Sequence, residues 1–365
     1  MTALVTTPDA VEVVATPAQA AACARPPLLV TEPLGRYLDA VGVPAGELAW
    51  RRIGDGQANV TYELRRGGSR LVLRRGPRPP HPPSAHDMVR EARIVATVGA
   101  AGVPVPPVVA VCEDDAVLGV PFYLMGFVEG QVVTATLPPS LAPAATRRAL
   151  AYGAVDALAD LHAVPLAGDV ATLGRPDGYL ERQVRRFGQL WPLNTRREVP
   201  LVDDLSARLA ARMPGGAGAS VVHGDYRLGN LMVSPAGRVV ALLDWEMATL
   251  GDPRADLGYF LATYTEAGSA RTPMDLTPVT AEPGFPSRAD LAARYAARTG
   301  ADLAALPWFE ALALWKAAIF CEAMYTRWLD GQRPGDGFAP TLAGGVPDLA
   351  VAADAALTRY EKESR

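Results

Sequence analysis

Between residues 49 and 128 the apolar positions come in short extended runs, and beyond residue 130 they come in helical stripes. Trp50-Arg51-Arg52-Ile53, Val60-Thr61-Tyr62-Glu63-Leu64 and Arg70-Leu71-Val72-Leu73 are brief runs separated by Gly-rich turns, which predicts antiparallel strands. A Pro-rich loop from Gly76 to Pro83 leads into a helix from about Ser84 to Val98, and Val108–Val111 and Phe122–Phe127 read as two further strands. After Glu129-Gly130, Leu150, Ala154, Leu158 and Leu161 share one helical stripe, and Trp308, Leu312, Trp315 and Ile319 share another. Three short strands fall between them, at Val221–Val222, Leu231–Val233 and Val239–Leu243. The predicted class is α+β and bilobal. An N-lobe over 31–128 carries a small antiparallel sheet with one helix, a larger and mostly helical C-lobe runs over 129–365, and an Ala/Pro/Thr-rich tail over 1–30 is expected to be loose. Clefts between such lobes are common sites for small ligands.

The chain has 365 residues, 49% hydrophobic and 20% charged, which is the balance of a folded protein with a sizeable core. Its net charge of −4 offers no basic surface for nucleic acid or an anionic membrane. No run approaches the roughly 18–20 apolar residues of a membrane span, and the N-terminus lacks a signal-peptide pattern, so a cytoplasmic protein is expected. Cys23, Cys112 and Cys321 form no C-x-x-C pair, which fits a reducing compartment. Lys316 and Lys362 are the only lysines among 35 basic residues. Lys316 sits in Leu-Trp-Lys-Ala, so no Walker A lysine exists, and with two lysines in all, Schiff-base chemistry is disfavoured.

Four segments carry candidate chemistry. Ile53-Gly54-Asp55-Gly56-Gln57-Ala58-Asn59-Val60-Thr61 puts two glycines in a turn between strands, where backbone N–H groups can approach phosphate oxygens; read alone, it is also an ordinary hairpin. Arg74 ends a strand, with Arg75 beside it pointing to the other face. Glu91 falls on the inward stripe of Met88, Val95 and Val98, where a carboxylate needs a cation, and Arg74 is the nearest candidate. The third and fourth segments are His223-Gly-Asp225-Tyr-Arg-Leu-Gly-Asn230, before the strand Leu231–Val233, and the strand Val239–Leu243, which ends in Asp244-Trp245-Glu246. His-x-Asp-x-x-x-x-Asn followed by a strand-edge Asp is a kinase arrangement: Asp225 accepts the hydroxyl proton, and Asn230 and Asp244 supply oxygen ligands for Mg²⁺. A transition-metal site on His223 fails for want of partners, since His81, His86 and His162 have no ligand spacing. His223 reads as a packed residue orienting the loop, and His162 and Cys321 read as core.

These motifs, from about Arg51 to Gly331, resemble the aminoglycoside phosphotransferase/choline kinase-like superfamily, which has a protein-kinase-like fold. The resemblance implies that Asp225 is the base and that Asn230 and Asp244 hold Mg²⁺. It also implies that Gly54 to Thr61, with Gly56 and Asn59, covers the phosphates of ATP (or GTP). Asp256, in Gly251-Asp-Pro-Arg-Ala-Asp256-Leu, would brace the catalytic loop. Gly174-Arg-Pro-Asp-Gly-Tyr-Leu-Glu-Arg-Gln-Val184 and Ala323-Met-Tyr-Thr-Arg-Trp-Leu329 are similar to the phosphotransferase domain fused to acyl-CoA dehydrogenase family members ten and eleven. That branch implies a hydroxyacyl-CoA acceptor and a functional link to acyl-CoA dehydrogenase-type enzymes. Two departures stand out. Arg74 occupies the usual lysine position, keeping the charge in a bulkier group. Gly126 stands where an acidic residue often precedes the connector, leaving backbone near Met125 and Phe127 to hold adenine.

The expected activity is transfer of a γ-phosphate to the hydroxyl of a small molecule. Over 168–200 six arginines, Arg182 and Arg186 among them, face four acidic residues, which leans toward an anionic acceptor; Glu246 and Arg327 complete the expected acceptor set. An aminoglycoside-type phosphotransferase and a nucleotide-binding pseudokinase scaffold are the rival readings.

Overall fold

The computed structural model describes residues 5–7, 10–54, 59–79, 86–332 and 335–363, and it divides into two units, Met1–Glu129 and Gly130–Arg365. Gly56 and the loop through His81 lie outside the described residues.

In the first unit five antiparallel strands run in the order Ala49–Ile53, Val60–Arg66, Ser69–Arg75, Phe122–Gly126, Val108–Cys112. Because side chains alternate across a strand, the two faces carry different chemistry. Tyr62, Leu64, Leu73, Phe122 and Leu124 fill one face as the main core of this unit. The other face carries Val72, Met125 and Tyr123 under the helix Met88–Ala100, with Met88 and Ala92 packed on them. That helix begins at Asp87, whose carboxylate caps the Arg90 amide.

The expected loose tail is instead partly built into this core. Strands Ala10–Val14 and Leu29–Val30 pair in parallel, and Val13, Val14, Leu28, Leu29 and Val30 are buried in the main cluster. The Arg75 side chain ties this segment down. It is 1% exposed and donates to the carbonyls of Leu28, Leu118 (3.2 Å) and Gly76 (3.0 Å). Apolar burial and satisfied carbonyls outweigh the disorder that the Ala/Pro/Thr composition suggests.

The second unit is built around the 24-residue helix Leu306–Leu329. Trp308 and Trp315 are fully buried on it, and their indole N–H groups donate to the carbonyls of Leu209 and Val202. Helices Tyr179–Asn194, Pro200–Ala211 and Leu342–Glu363 complete that core. The helix Ala144–His162 matches the first apolar stripe. Two small sheets carry the motif loops: Gln131–Val132, Leu231–Val233 and Val239–Leu242 form one, and Ser220–Val222 with Thr249–Gly251 forms the other.

Candidate active site

In the second unit the strand pairing itself assembles the acidic groups. Leu231 pairs with Leu242 in an antiparallel ladder, so the residues just outside that pair, Asn230 and Leu243, leave the sheet at the same end. The Leu243 amide donates to the Asn230 carbonyl at 2.8 Å, and Asp244 follows directly. Asn230 is buried, and its amide nitrogen donates to the Asp225 carbonyl (2.8 Å) and to Asp225 Oδ2 (2.7 Å). This orients Asn230 Oδ1 as the acceptor end of the amide. Asp244 has φ 65°, a left-handed conformation that costs a non-glycine residue about 1–3 kcal/mol. Trp245 holds it there: its ring is buried against His223, 4.7 Å between centroids, and Nε1 donates to the Leu242 carbonyl.

His223 sits in the middle of this loop and is fully buried. Its Nε2 donates to the Leu243 carbonyl at 2.9 Å, and its Nδ1 accepts from the Asp225 amide at 3.3 Å. Asp256, at the start of the helix Arg254–Thr263, accepts from the amides of His223 (2.6 Å) and Gly224 (2.8 Å), and from His162 Nε2 (3.3 Å). Burial by itself raises the Asp256 carboxyl, but the His162 hydrogen bond and charge, with His223 and the Gly224 amide, hold it below the ordinary carboxylate value. Gly224 must be glycine: its φ is +84°, and a Cβ would meet the Met247 carbonyl oxygen at 2.7 Å. Asp225 itself is partly exposed, with Arg227 Nε 3.5 Å from Oδ1. Gly229 leaves room for that guanidinium, since any Cβ there would collide with Arg227 Nη1. The Tyr259 hydroxyl is pushed well above the ordinary phenol value, first by burial and then by the Asp225 charge.

The first unit builds a second constellation. Thr61, Arg74 and Tyr123 stand directly opposite one another on adjacent strands and therefore share one sheet face. Glu91 descends from the helix above, 1% exposed, and meets Arg74 Nε at 2.9 Å. The Tyr123 hydroxyl donates to the same carboxylate at 3.2 Å. Arg75 points to the opposite face, so Arg74 is the cation that Glu91 orients. Gly54 is left-handed, φ 75°, and buried Asn59 is joined through Oδ1 to His86 Nδ1 at 2.8 Å. Met125 is buried on the Arg74 face, and the Phe127 ring is covered by the Arg70 guanidinium at 3.4 Å.

The expected acceptor residues differ in their surroundings. The Arg182 guanidinium is taken up by the carbonyls of Arg175 and Asp177, where it braces the turn before its own helix. Arg186, Glu246 and Arg327 are exposed, and Arg327 Nε donates to the Ala323 carbonyl one turn earlier. Among the described residues no hydrogen bond or ion pair joins Arg182, Arg186 or Arg327 to Asp225. Sequence reasoning missed Tyr123, Arg227 and Tyr259; the signal for Arg227 was present, a cation two residues after Asp225 inside the motif.

Among the described residues no three His, Cys, Asp or Glu side chains cluster as a metal cage. An Asn amide oxygen with one Asp carboxylate is nevertheless the sparse, hard-oxygen donor set that Mg²⁺ takes when it keeps waters and nucleotide phosphates as its other ligands.

The sequence model of the phosphotransferase enzyme family matches residues 49–309. Among curated proteins, acyl-CoA dehydrogenase family member 11 of Gallus gallus is 36% identical over 224 residues, covering 60% of this chain and 29% of that protein. Family member 10 of Mus musculus is 38% identical over 212 residues, covering 57% and 20%. The human family member 11 is 31% identical, covering 76% and 36%. The chain thus spans about a third or less of the length of these relatives. Among solved structures, a "putative aminoglycoside phosphotransferase" of Ralstonia eutropha aligns with TM-score 0.74 and 28% identity, over 90% of this chain and 98% of that one. A thermostable mutant of an aminoglycoside phosphotransferase, in ternary complex with AMP-PNP and hygromycin B, shares the fold at TM-score 0.56 and 16% identity, over 90% and 98%. The fold is therefore protein-kinase-like, and the chain belongs to the phosphotransferase enzyme family.

Proposed function

We propose that this chain is a small-molecule kinase that moves the γ-phosphoryl group of ATP (or GTP) to the hydroxyl of a metabolite, with a hydroxyacyl-CoA as the candidate acceptor. The observation that carries the reading is the hydrogen bond from Asn230 to Asp225, in a loop tied through Leu243 to Asp244. Phosphoryl transfer asks the protein mainly for positioning and electrostatics, and these three groups form one braced unit. Asp225 orients the acceptor hydroxyl and takes its proton. Asn230 and Asp244 would hold Mg²⁺, which neutralises phosphate charge when bound. Arg74, aligned by Glu91 and Tyr123, grips phosphate through two N–H groups in place of a lysine. Gly54, and Thr61 on the strand Val60–Arg66, flank the segment that covers the phosphates, and His223 and Asp256 keep the loop in shape.

The nucleotide part is supported by the AMP-PNP complex of a fold neighbour. The acyl-CoA part is supported by the relatives named as acyl-CoA dehydrogenase family members, although the chain covers only part of each. Thermal stabilisation by AMP-PNP with Mg²⁺, followed by a panel of hydroxyacyl-CoA esters, free hydroxy acids, choline and kanamycin, tests the acceptor, because a true ligand stabilises by mass action. Stabilisation and phosphate transfer with hydroxyacyl-CoA esters are expected. Transfer to kanamycin alone would replace this acceptor with an antibiotic.

A further inference from the structure

We propose that Lys316 is an acceptor-specificity residue, its ammonium receiving an acyl oxygen (carboxylate or thioester carbonyl) of the substrate beside Asp225. This rests on the kinase reading above. Lys316 lies on the helix Leu306–Leu329 and lines a narrow cavity of about 20 Å³ with Tyr179, Gly224, Asp256 and Tyr259. That volume takes about one water-sized group, which suits the oxygen end of a ligand. Two of these neighbours tie the cavity to the proposed chemistry: Gly224 immediately precedes Asp225, and Tyr259 feels the Asp225 charge directly.

The ammonium has three donors. Gln183 Oε1 accepts at 3.0 Å, and the Phe187 ring lies 4.6 Å beneath. Among the described residues no carboxylate comes within 4 Å of it, although Asp225 and Asp256 act on it at longer range. Burial lowers its pKa to about 8, and its amino group, bonded to Gln183, keeps further donors and is not half of an ion pair. The chain uses arginine for 33 of its 35 cations, and a lysine here matches a slot too narrow for a guanidinium fork. An aminoglycoside or choline amine entering this slot would meet like charge from Lys316, with Arg186 adding to it.

The two-lysine composition supplies the test. Biosynthetic labelling with [ε-¹³C]lysine marks only Lys316 and Lys362 and leaves the ammonium groups unaltered, with exposed Lys362 as internal reference. In the presence of AMP-PNP and Mg²⁺ the protein is titrated with 3-hydroxybutyrate, its CoA thioester, 1,3-butanediol and 4-amino-2-butanol, which differ at one end only. Saturable movement of the Lys316 signal is expected with the acid or the thioester, and which of the two binds tells a free acid from an acyl-CoA. The diol and the amino alcohol should bind at least about tenfold more weakly. In Lys316→Met that preference should collapse while AMP-PNP affinity holds. An unmoved Lys316 signal at millimolar acyl ligand, or an undiminished preference in Lys316→Met, overturns the proposal. Absence of phosphate transfer to every acceptor counts against the kinase reading instead, since the signal shift reads the lysine contact without turnover.

Discussion

His223 Nε2 donates to the carbonyl oxygen of Leu243 over 2.9 Å, which fastens the turn before Asp225 to the residue before Asp244. The ring's other nitrogen accepts the Asp225 amide, so one buried imidazole satisfies groups from both segments. His223→Phe keeps the ring volume but strands the partly buried Asp225 N–H and Leu243 carbonyl, each costing up to about 1–3 kcal/mol. A lowered melting temperature is expected, with kcat reduced at least about tenfold and the KM for ATP nearly unchanged, because the damage lies at the loop and not at the nucleotide. A full-rate His223→Phe enzyme would remove His223 from the account.

Arg74 and Glu91 make a different prediction. Glu91 is buried, and deleting it leaves the Arg74 cation without its carboxylate, a loss of about 3–5 kcal/mol for a buried pair. Glu91→Ala should therefore destabilise the protein and raise the KM for ATP. Arg74→Lys should keep the fold and retain a measurable part of the activity, with a higher KM, because the ammonium keeps the charge but grips phosphate at one point. Steady-state kinetics at varied ATP, alongside thermal melts, separate the two effects.

Acid stability of the first unit should depend on Glu63. Arg51 above all, then Arg65 and Arg70, hydrogen-bond this carboxylate and hold it at about 2, against 4.5 for the free side chain. Its native pKa is depressed, so its stabilisation is complete above about pH 5 and is lost as pH falls toward 2, where the native carboxylate also protonates. Glu63→Gln should melt lower than the natural chain at pH 7, with the gap closing between pH 4.5 and 2. A gap constant over that range would contradict the assignment.

Gly224→Ala and Gly344→Ala form a matched pair. At Gly224 an added methyl meets a carbonyl oxygen at 2.7 Å in a left-handed backbone, so the variant should lose stability by more than about 1 kcal/mol and lose most of its activity. Gly344 is exposed on the helix Leu342–Glu363 with open space around it, and alanine there should stabilise by about 1 kcal/mol or less. Melting temperatures and specific activities of the two variants give opposite signs if the backbone argument is right.

Much of this was legible in the chain, for physical reasons. Strand runs such as Val60–Leu64 carried the sheet, and Glu91 on a buried stripe demanded a cation, which Arg74 supplies. Asp225, Asn230 and Asp244 stood at strand edges, where polar side chains interrupt apolar runs. Other features depend on tertiary direction. Tyr123 and Tyr259 look like core aromatics in sequence, and only packing turns their hydroxyl groups toward Glu91 and Asp225. Arg182 looked available for an acceptor until its guanidinium met the carbonyls of Arg175 and Asp177. Residues 10–30 hid buried apolar side chains such as Val13, Val14 and Leu29 in an Ala/Pro/Thr background, and their strands form by pairing with each other and with Val5–Thr7.

Transfer of ³²P from γ-labelled ATP in the presence of Mg²⁺, compared among the natural chain, Asp225→Asn and Asp244→Ala, decides whether these two carboxylates carry phosphoryl transfer. Both variants should keep the native fold and lose roughly a thousandfold or more in kcat, Asp225→Asn without a comparable loss of nucleotide affinity. Undiminished transfer by both variants would contradict that role.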